Sequence, residues 1–193
     1  VGLPLANALS EHFKTYGYDI DKKKIKHLKN RFDQNYEINN INRKLKFSDK
    51  EKVFLNCNVF IICLPTPINK KNIPDLRLLK KSYICLNKYV NKESIVILES
   101  TVYPGTTEYL AKKYLNNIFN LGYSPERINP GDKINTIDKI TKVISANNKY
   151  TLNLMRKLYG KINKNNLFEA KDIKTAEAAK IIENTQRDLN IGF

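Results

Sequence analysis

Two short apolar runs constrain this chain more than anything else in it. Val59-Phe60-Ile61-Ile62-Cys63 and Ile95-Val96-Ile97-Leu98 contain no polar residue. A strand with one wet face alternates apolar and polar residues. A strand without alternation is covered on both faces, as in a parallel sheet sandwiched between helices. The first run ends in Leu64-Pro65-Thr66-Pro67 and the second in Glu99-Ser100-Thr101, so both stop at turn-forming residues. Further strands are expected at 15–19, 119–123, 142–145 and 167–170. Helices are expected at 2–13, 21–30, 75–88, 106–115, 149–159 and 174–193. This alternation predicts the α/β class, with a Rossmann-like doubly wound parallel sheet. The polar stretch 34–46 reads as loop.

Composition narrows the class. The chain has 193 residues, of which 41% are hydrophobic and 27% charged. That is enough for one domain, or one domain with part of a second, and it excludes a disordered tail, a collagen repeat or a rod. No apolar run approaches the roughly 20 residues that span a bilayer, so no membrane insertion is expected. Cys57, Cys63 and Cys85 follow no metal-ligand spacing, which predicts reduced core thiols, a cytoplasmic setting and no metal. The net charge of +15 raises a nucleic-acid reading. The lysines are scattered singly and in short runs, such as Lys22 to Lys24, without an accompanying recognition motif. A compositional bias on solvated faces is the reading preferred, with no nucleic acid as partner.

In a doubly wound sheet, ligands bind beyond the carboxyl ends of the strands. Asp19 comes after Tyr16–Tyr18 of the first expected strand and lies 17 residues after Gly2, near the spacing between a fingerprint glycine and its ribose-binding acid. A helix-capping aspartate is the competing assignment. Pro65 and Thr66 follow the first apolar run. Thr101 follows the second, within Glu99 to Thr107, where hydroxyls and a helix start can hold phosphate or orient water. Glu126 and Arg127 follow the next strand, as a candidate base and a candidate phosphate partner. Lys180 and Asn184 lie four apart on the last helix, where an ammonium and a carboxamide can stabilise an oxyanion. A plain surface helix with pairs such as Glu183–Arg187 competes with that reading.

Five ordered motifs carry a resemblance. They are Gly2-Leu3-Pro4-Leu5-Ala6, Pro65-Thr66-Pro67, Glu99-Ser100-Thr101-Val102-Tyr103-Pro104-Gly105, the stretch from Tyr123-Ser124-Pro125-Glu126-Arg127 to Lys133, and the stretch from Thr175-Ala176-Glu177 to Ile191. Together they resemble the UDP-glucose/GDP-mannose dehydrogenase family, and within it the branch acting on UDP-N-acetylhexosamines for surface polysaccharides. The resemblance implies an NAD-dependent oxidation of a sugar C6 alcohol to a carboxylate by two hydride transfers, through a cysteine thiohemiacetal and thioester. It implies that Gly2, Asp19, Lys24, Pro65, Thr66 and Thr101 bind the cofactor. Thr101, Glu126, Lys180 and Asn184 become the catalytic candidates. Glu126, Arg127, Asn129, Lys180 and Asn184 become contacts of a UDP-sugar.

The same resemblance implies an N-terminally truncated Rossmann-like domain over 1–171 that lacks its first strand. The start of an all-helical dimerisation domain would follow over 172–193, with homo-oligomers formed by the full-length enzyme. Two fingerprint glycines, the family's nucleophilic cysteine and its uridine-binding domain have no counterpart in the chain. The path 111–120 is short against the family pattern, and Pro130 stands where some relatives carry a second acid. The expectation is a portion of the enzyme, inactive by itself. A partner-binding fragment and a basic nucleic-acid binder are the alternatives.

Overall fold

The structure is a computed structural model that describes residues 2–34, 38, 40–116, 120–126 and 140–192. Helix α1 (Gly2–His12) leads into strand β1 (Tyr16–Tyr18), helix α2 (Lys22–Lys29) and strand β2 (Lys46–Ser48). A 3-10 turn, Glu51–Asn56, precedes β3 (Val59–Ile62), α3 (Arg77–Leu86), β4 (Ile95–Leu98) and α4 (Thr106–Tyr114). Then come β5 (Asn120–Tyr123), β6 (Lys142–Ala146), α5 (Lys149–Ile162), β7 (Leu167–Glu169) and α6 (Ile173–Gly192). The order is that of an α/β doubly wound domain.

The strands form two sheets. One is the parallel pair β1–β2, and the other has the order β3-β4-β5-β6-β7. The central register aligns Ile62 with Leu98 and Leu98 with Tyr123, so β3, β4 and β5 end together at one edge. The expectation of an all-parallel sheet needs one correction, since β6 runs antiparallel to β5. Gly122 pairs with Ala146 and Tyr123 with Ser145, so the start of β6 lies beside the end of β5. The edge therefore receives the start of β6, not its end.

β4 shows why the runs lack alternation. Val96 and Leu98 point into a core built with Phe60, Ile62, Leu79, Tyr83, Leu110 and Ile173. Ile95 and Ile97 point the other way, into a core with Leu5, Leu9, Met155, Tyr159 and Ile162. The spacings Leu79-Tyr83-Leu86 and Met155-Tyr159-Ile162 put each helix's apolar side toward the sheet. Each fully buried Leu or Ile contributes about 1.5–3 kcal/mol.

The stretch expected to be loop holds more structure than its polarity suggests. Ile41 and Leu45 are buried with Ile25, Leu28 and Phe47 under α2. Phe47 then carries β2, which pairs with β1. Ile173 and Ala176, the first apolar residues of α6, lie in the core of the large sheet.

Candidate functional site at the strand ends

Gly2 opens α1 against the end of β3. A Cβ there would stand 3.2 Å from Cys63 Cβ, a tight contact that glycine avoids where the helix starts against the strand end. Burial and the nearby Glu99 carboxylate push the Cys63 thiol well above its ordinary range, so it is a packing group.

Asp19 follows β1 directly. Its carboxylate accepts from Lys24 Nζ at 2.8 Å and from the Asp21 amide at 3.1 Å. The residue that caps α2 is Asp21, which accepts from the Lys23 and Lys24 amides. Asp19 is thereby released from the capping role that competed for it. Its carboxylate stays about a third exposed, with room for further donors.

The turns after β3 and β4 are joined. Ser100 Oγ donates to the Leu64 carbonyl at 2.6 Å and accepts from the Leu64 amide at 3.0 Å. Thr66 Oγ1 donates to the Thr101 carbonyl at 2.6 Å. Pro65, Thr66 and Thr101 thus form one polar ledge at the sheet edge.

Beneath the ledge lies a buried ionic group that sequence reasoning missed. Glu99 is fully enclosed and accepts from Lys142 Nζ at 2.6 Å and from Tyr159 Oη at 2.5 Å. Burial raises the Glu99 pKa, with Lys142 opposing and Glu126 adding to the rise. Burial and Glu99 push the Tyr159 hydroxyl far above its usual range. Lys142 Nζ also reaches the Pro125 carbonyl at 3.5 Å, and Ser124 Oγ donates to the Val143 carbonyl at 2.8 Å. These bonds fix the backbone that carries Glu126. No local signal links positions 99, 142 and 159; the antiparallel pairing of β6 with β5 brings Lys142 to the edge.

The start of α4 differs from the expectation of an open phosphate site. Gly105, at φ +88°, precedes the helix, and the Thr106 and Thr107 hydroxyls are buried. Thr106 Oγ1 donates to the Tyr103 carbonyl, and the Gly105 and Thr107 amides donate to Glu177 of α6. This helix N-terminus is occupied by the protein's own carboxylate.

One turn along α6, Lys180 is almost fully buried and Asn184 half-buried. Glu183 sits 3.8 Å from both Lys180 Nζ and Arg187. The surface pair 183–187 and the candidate Lys180 therefore coexist. Arg127, Asn129 and Pro130 lie outside the described residues. Among the described residues no cluster of His, Cys, Asp or Glu is arranged to hold a metal, and no helix is long and apolar enough to cross a membrane.

A glycine-started helix, an acid after β1 and joined turns at one sheet edge define an α/β dinucleotide-binding domain. Residues 1–163 match the NAD-binding domain of the UDP-glucose/GDP-mannose dehydrogenase family, and the chain belongs to that family. Over its whole length it is 41% identical to protein CapL of Staphylococcus aureus. It is 42% identical to the UDP-N-acetyl-D-glucosamine 6-dehydrogenase of Salmonella typhi. The chain spans 48% of each, about half the length of these curated relatives. Among solved structures, the UDP-D-ManNAc dehydrogenase of Pyrococcus horikoshii superposes with a TM-score of 0.90 at 30% identity. That match covers 99% of this chain and 49% of the other. The GDP-mannose dehydrogenase of Pseudomonas aeruginosa, solved as a ternary complex, has a TM-score of 0.86 at 20% identity, covers 99% of this chain and 48% of the other, and shares the fold.

Proposed function

We propose that this chain is the cofactor-binding portion of an enzyme that oxidises the C6 alcohol of a UDP-N-acetylhexosamine to the uronic acid, for surface polysaccharide synthesis in the cytoplasm. The observation that carries the reading is the joined ledge of Thr66 and Thr101, in a chain 42% identical to a UDP-N-acetyl-D-glucosamine 6-dehydrogenase. Bound NAD supplies the hydride acceptor. The residues present suit it, since Gly2 lets α1 begin close against the end of β3 and Asp19 offers carboxylate oxygens to ribose hydroxyls.

In this reading Lys24 orients Asp19, and Pro65, Thr66 and Thr101 line the nicotinamide side. Thr101 and Glu126 flank the reacting carbon, with Glu126 as the base that activates water. Lys180 and Asn184 stabilise the developing oxyanion, and Arg127 and Asn129 contact the sugar nucleotide. Residues 1–171 form the nucleotide domain, and 172–193 begin the helical domain through which the full-length enzyme forms homo-oligomers.

Calorimetric titration with NAD tests the cofactor half. Saturable binding is expected, weakened about tenfold or more in Asp19→Ala, because a charged hydrogen-bond acceptor contributes about 1.5–3 kcal/mol. Equal binding by chain and variant sinks the assignment of Asp19. The isolated chain is expected to form no NADH from UDP-N-acetylglucosamine, and detectable NADH overturns that expectation. A second reading, a fragment that docks on a full-length copy, is favoured by exposed Ile182 and Leu189, seven apart on one face of α6.

A further inference from the structure

The Glu177 side chain has no exposed surface, yet it belongs to a helix whose far half is open to solvent. Its carboxylate accepts three hydrogen bonds from a segment about 70 positions earlier. Oε2 takes the Gly105 amide at 2.5 Å, and Oε1 takes the Thr107 amide at 2.9 Å and Thr107 Oγ1 at 2.6 Å. Helix α4 has no capping side chain of its own, because its N-cap is Gly105. A capping box normally satisfies such orphan amides from the same helix. Here α6 delivers the cap from outside. A second link, Lys174 Nζ to Glu108 at 4.0 Å, ties the same two helices.

A buried carboxylate held by three donors fixes the rotation and the axial position of the helix that carries it, and the exposed ion pair adds little. Glu177 lies three positions before Lys180 and seven before Asn184, on the same side of α6. The segment it grips begins four residues after Thr101. We infer that Glu177 is a positioning residue: by capping α4 it locks α6 in the one rotation that presents Lys180 and Asn184 to the Thr101 ledge. This rests on the functional reading above for what Lys180 and Asn184 do and what they face, and on the hydrogen bonds for where Glu177 is held.

Glutamine at 177 cannot reproduce the cap. Both carboxylate oxygens face donors, and an amide would turn its NH2 toward one of them. Glu177→Gln is therefore expected to speed amide exchange at Gly105 and Thr107 about tenfold or more, with α3 unchanged. It should also raise the rate of lysine acylation at Lys180, read by mass spectrometry, about fivefold or more, as the buried ammonium turns toward solvent. Lys142, buried on β6, is the internal control for general loosening. Faster labelling at Lys180 with Lys142 still protected supports the positioning role. Loss of the cap with Lys180 still protected overturns it, as does equal deprotection of both lysines.

Should Glu177→Gln fail to fold, Thr107→Val removes one of the three donors and leaves α6 intact. A smaller rise at Lys180 alone then supports the inference, and no change overturns it. An NADH titration of the unmodified chain separates the two readings. A chain that binds no NADH but passes the labelling test retains the positioning geometry and loses the functional reading.

Discussion

Lys142 and Glu99 form a buried ion pair, and such pairs are unequal to their parts. Removing one partner leaves a charge with neither water nor counter-ion and costs about 3–5 kcal/mol, whereas replacing both with apolar groups is often neutral. Lys142→Met is therefore expected to lower unfolding stability in urea by about that amount. The double variant Lys142→Met/Glu99→Leu should recover most of the loss, although Tyr159 Oη then also needs a new partner. A double variant no better than the single one would mean that packing, not the unpaired charge, dominates. Gly17 makes a second residue-level case. A Cβ there would meet the Phe47 ring at 2.8 Å, so the ring lies over this position only because it is glycine. Gly17→Val is expected to cost about 1–3 kcal/mol by overpacking, read from the same urea transitions.

At the scale of elements, caps decide where helices begin. Asn148 accepts the Thr151 amide at 2.8 Å at the start of α5, and Asn148→Ala should cost about 0.5–2 kcal/mol. Asp21 and Asp172 cap with carboxylates, and amide donors hold both below their ordinary value of 3.8. A folded-state pKa below the unfolded one means a contribution fully present above that value and lost as pH falls through the folded value. Helical signal from α2 and α6 should therefore decline with acid below about pH 4. Asp21→Asn, which still accepts but does not titrate, should lose that dependence at α2; an unchanged acid profile would remove Asp21 as its source.

Most elements were legible in sequence for the same local reasons. Apolar runs gave β3 and β4, and helical spacing gave α3 and α5. Strand β2 was not legible, because Phe47 is its one deeply buried side chain and its flanks are lysine and serine. Strand β6 was legible at 142–145, but its antiparallel direction was not, because direction is not written in a strand's own composition. At the site, Asp19, Thr66 and Thr101 could be read from their place after strands. The Glu99–Lys142–Tyr159 group and the Glu177 cap could not, since each joins positions tens of residues apart.

The whole molecule hides its thiols by different means. Burial and the Glu51 carboxylate push Cys85 up to about 11, burial raises Cys57, and Cys63 is raised further between α1 and the sheet. At about pH 8 a thiol of pKa about 11 is roughly one part in a thousand thiolate, so a disulfide reagent should react slowly with the native chain. All three should then become reactive together across the urea transition. One fast, stoichiometric thiol before unfolding would show that its surroundings open independently.

The second core of the large sheet joins Leu5 and Leu9 to Met155, Tyr159 and Ile162. A ribosome reads the first pair long before the last three. At about 5–20 residues per second, α1 waits for roughly 7–30 seconds before its partners in α5 exist. During that interval its apolar side has only the strands to rest on, and closure must span most of the polypeptide. Birth order and spatial order are opposed here, so this half of the core can close only after α5 has been made.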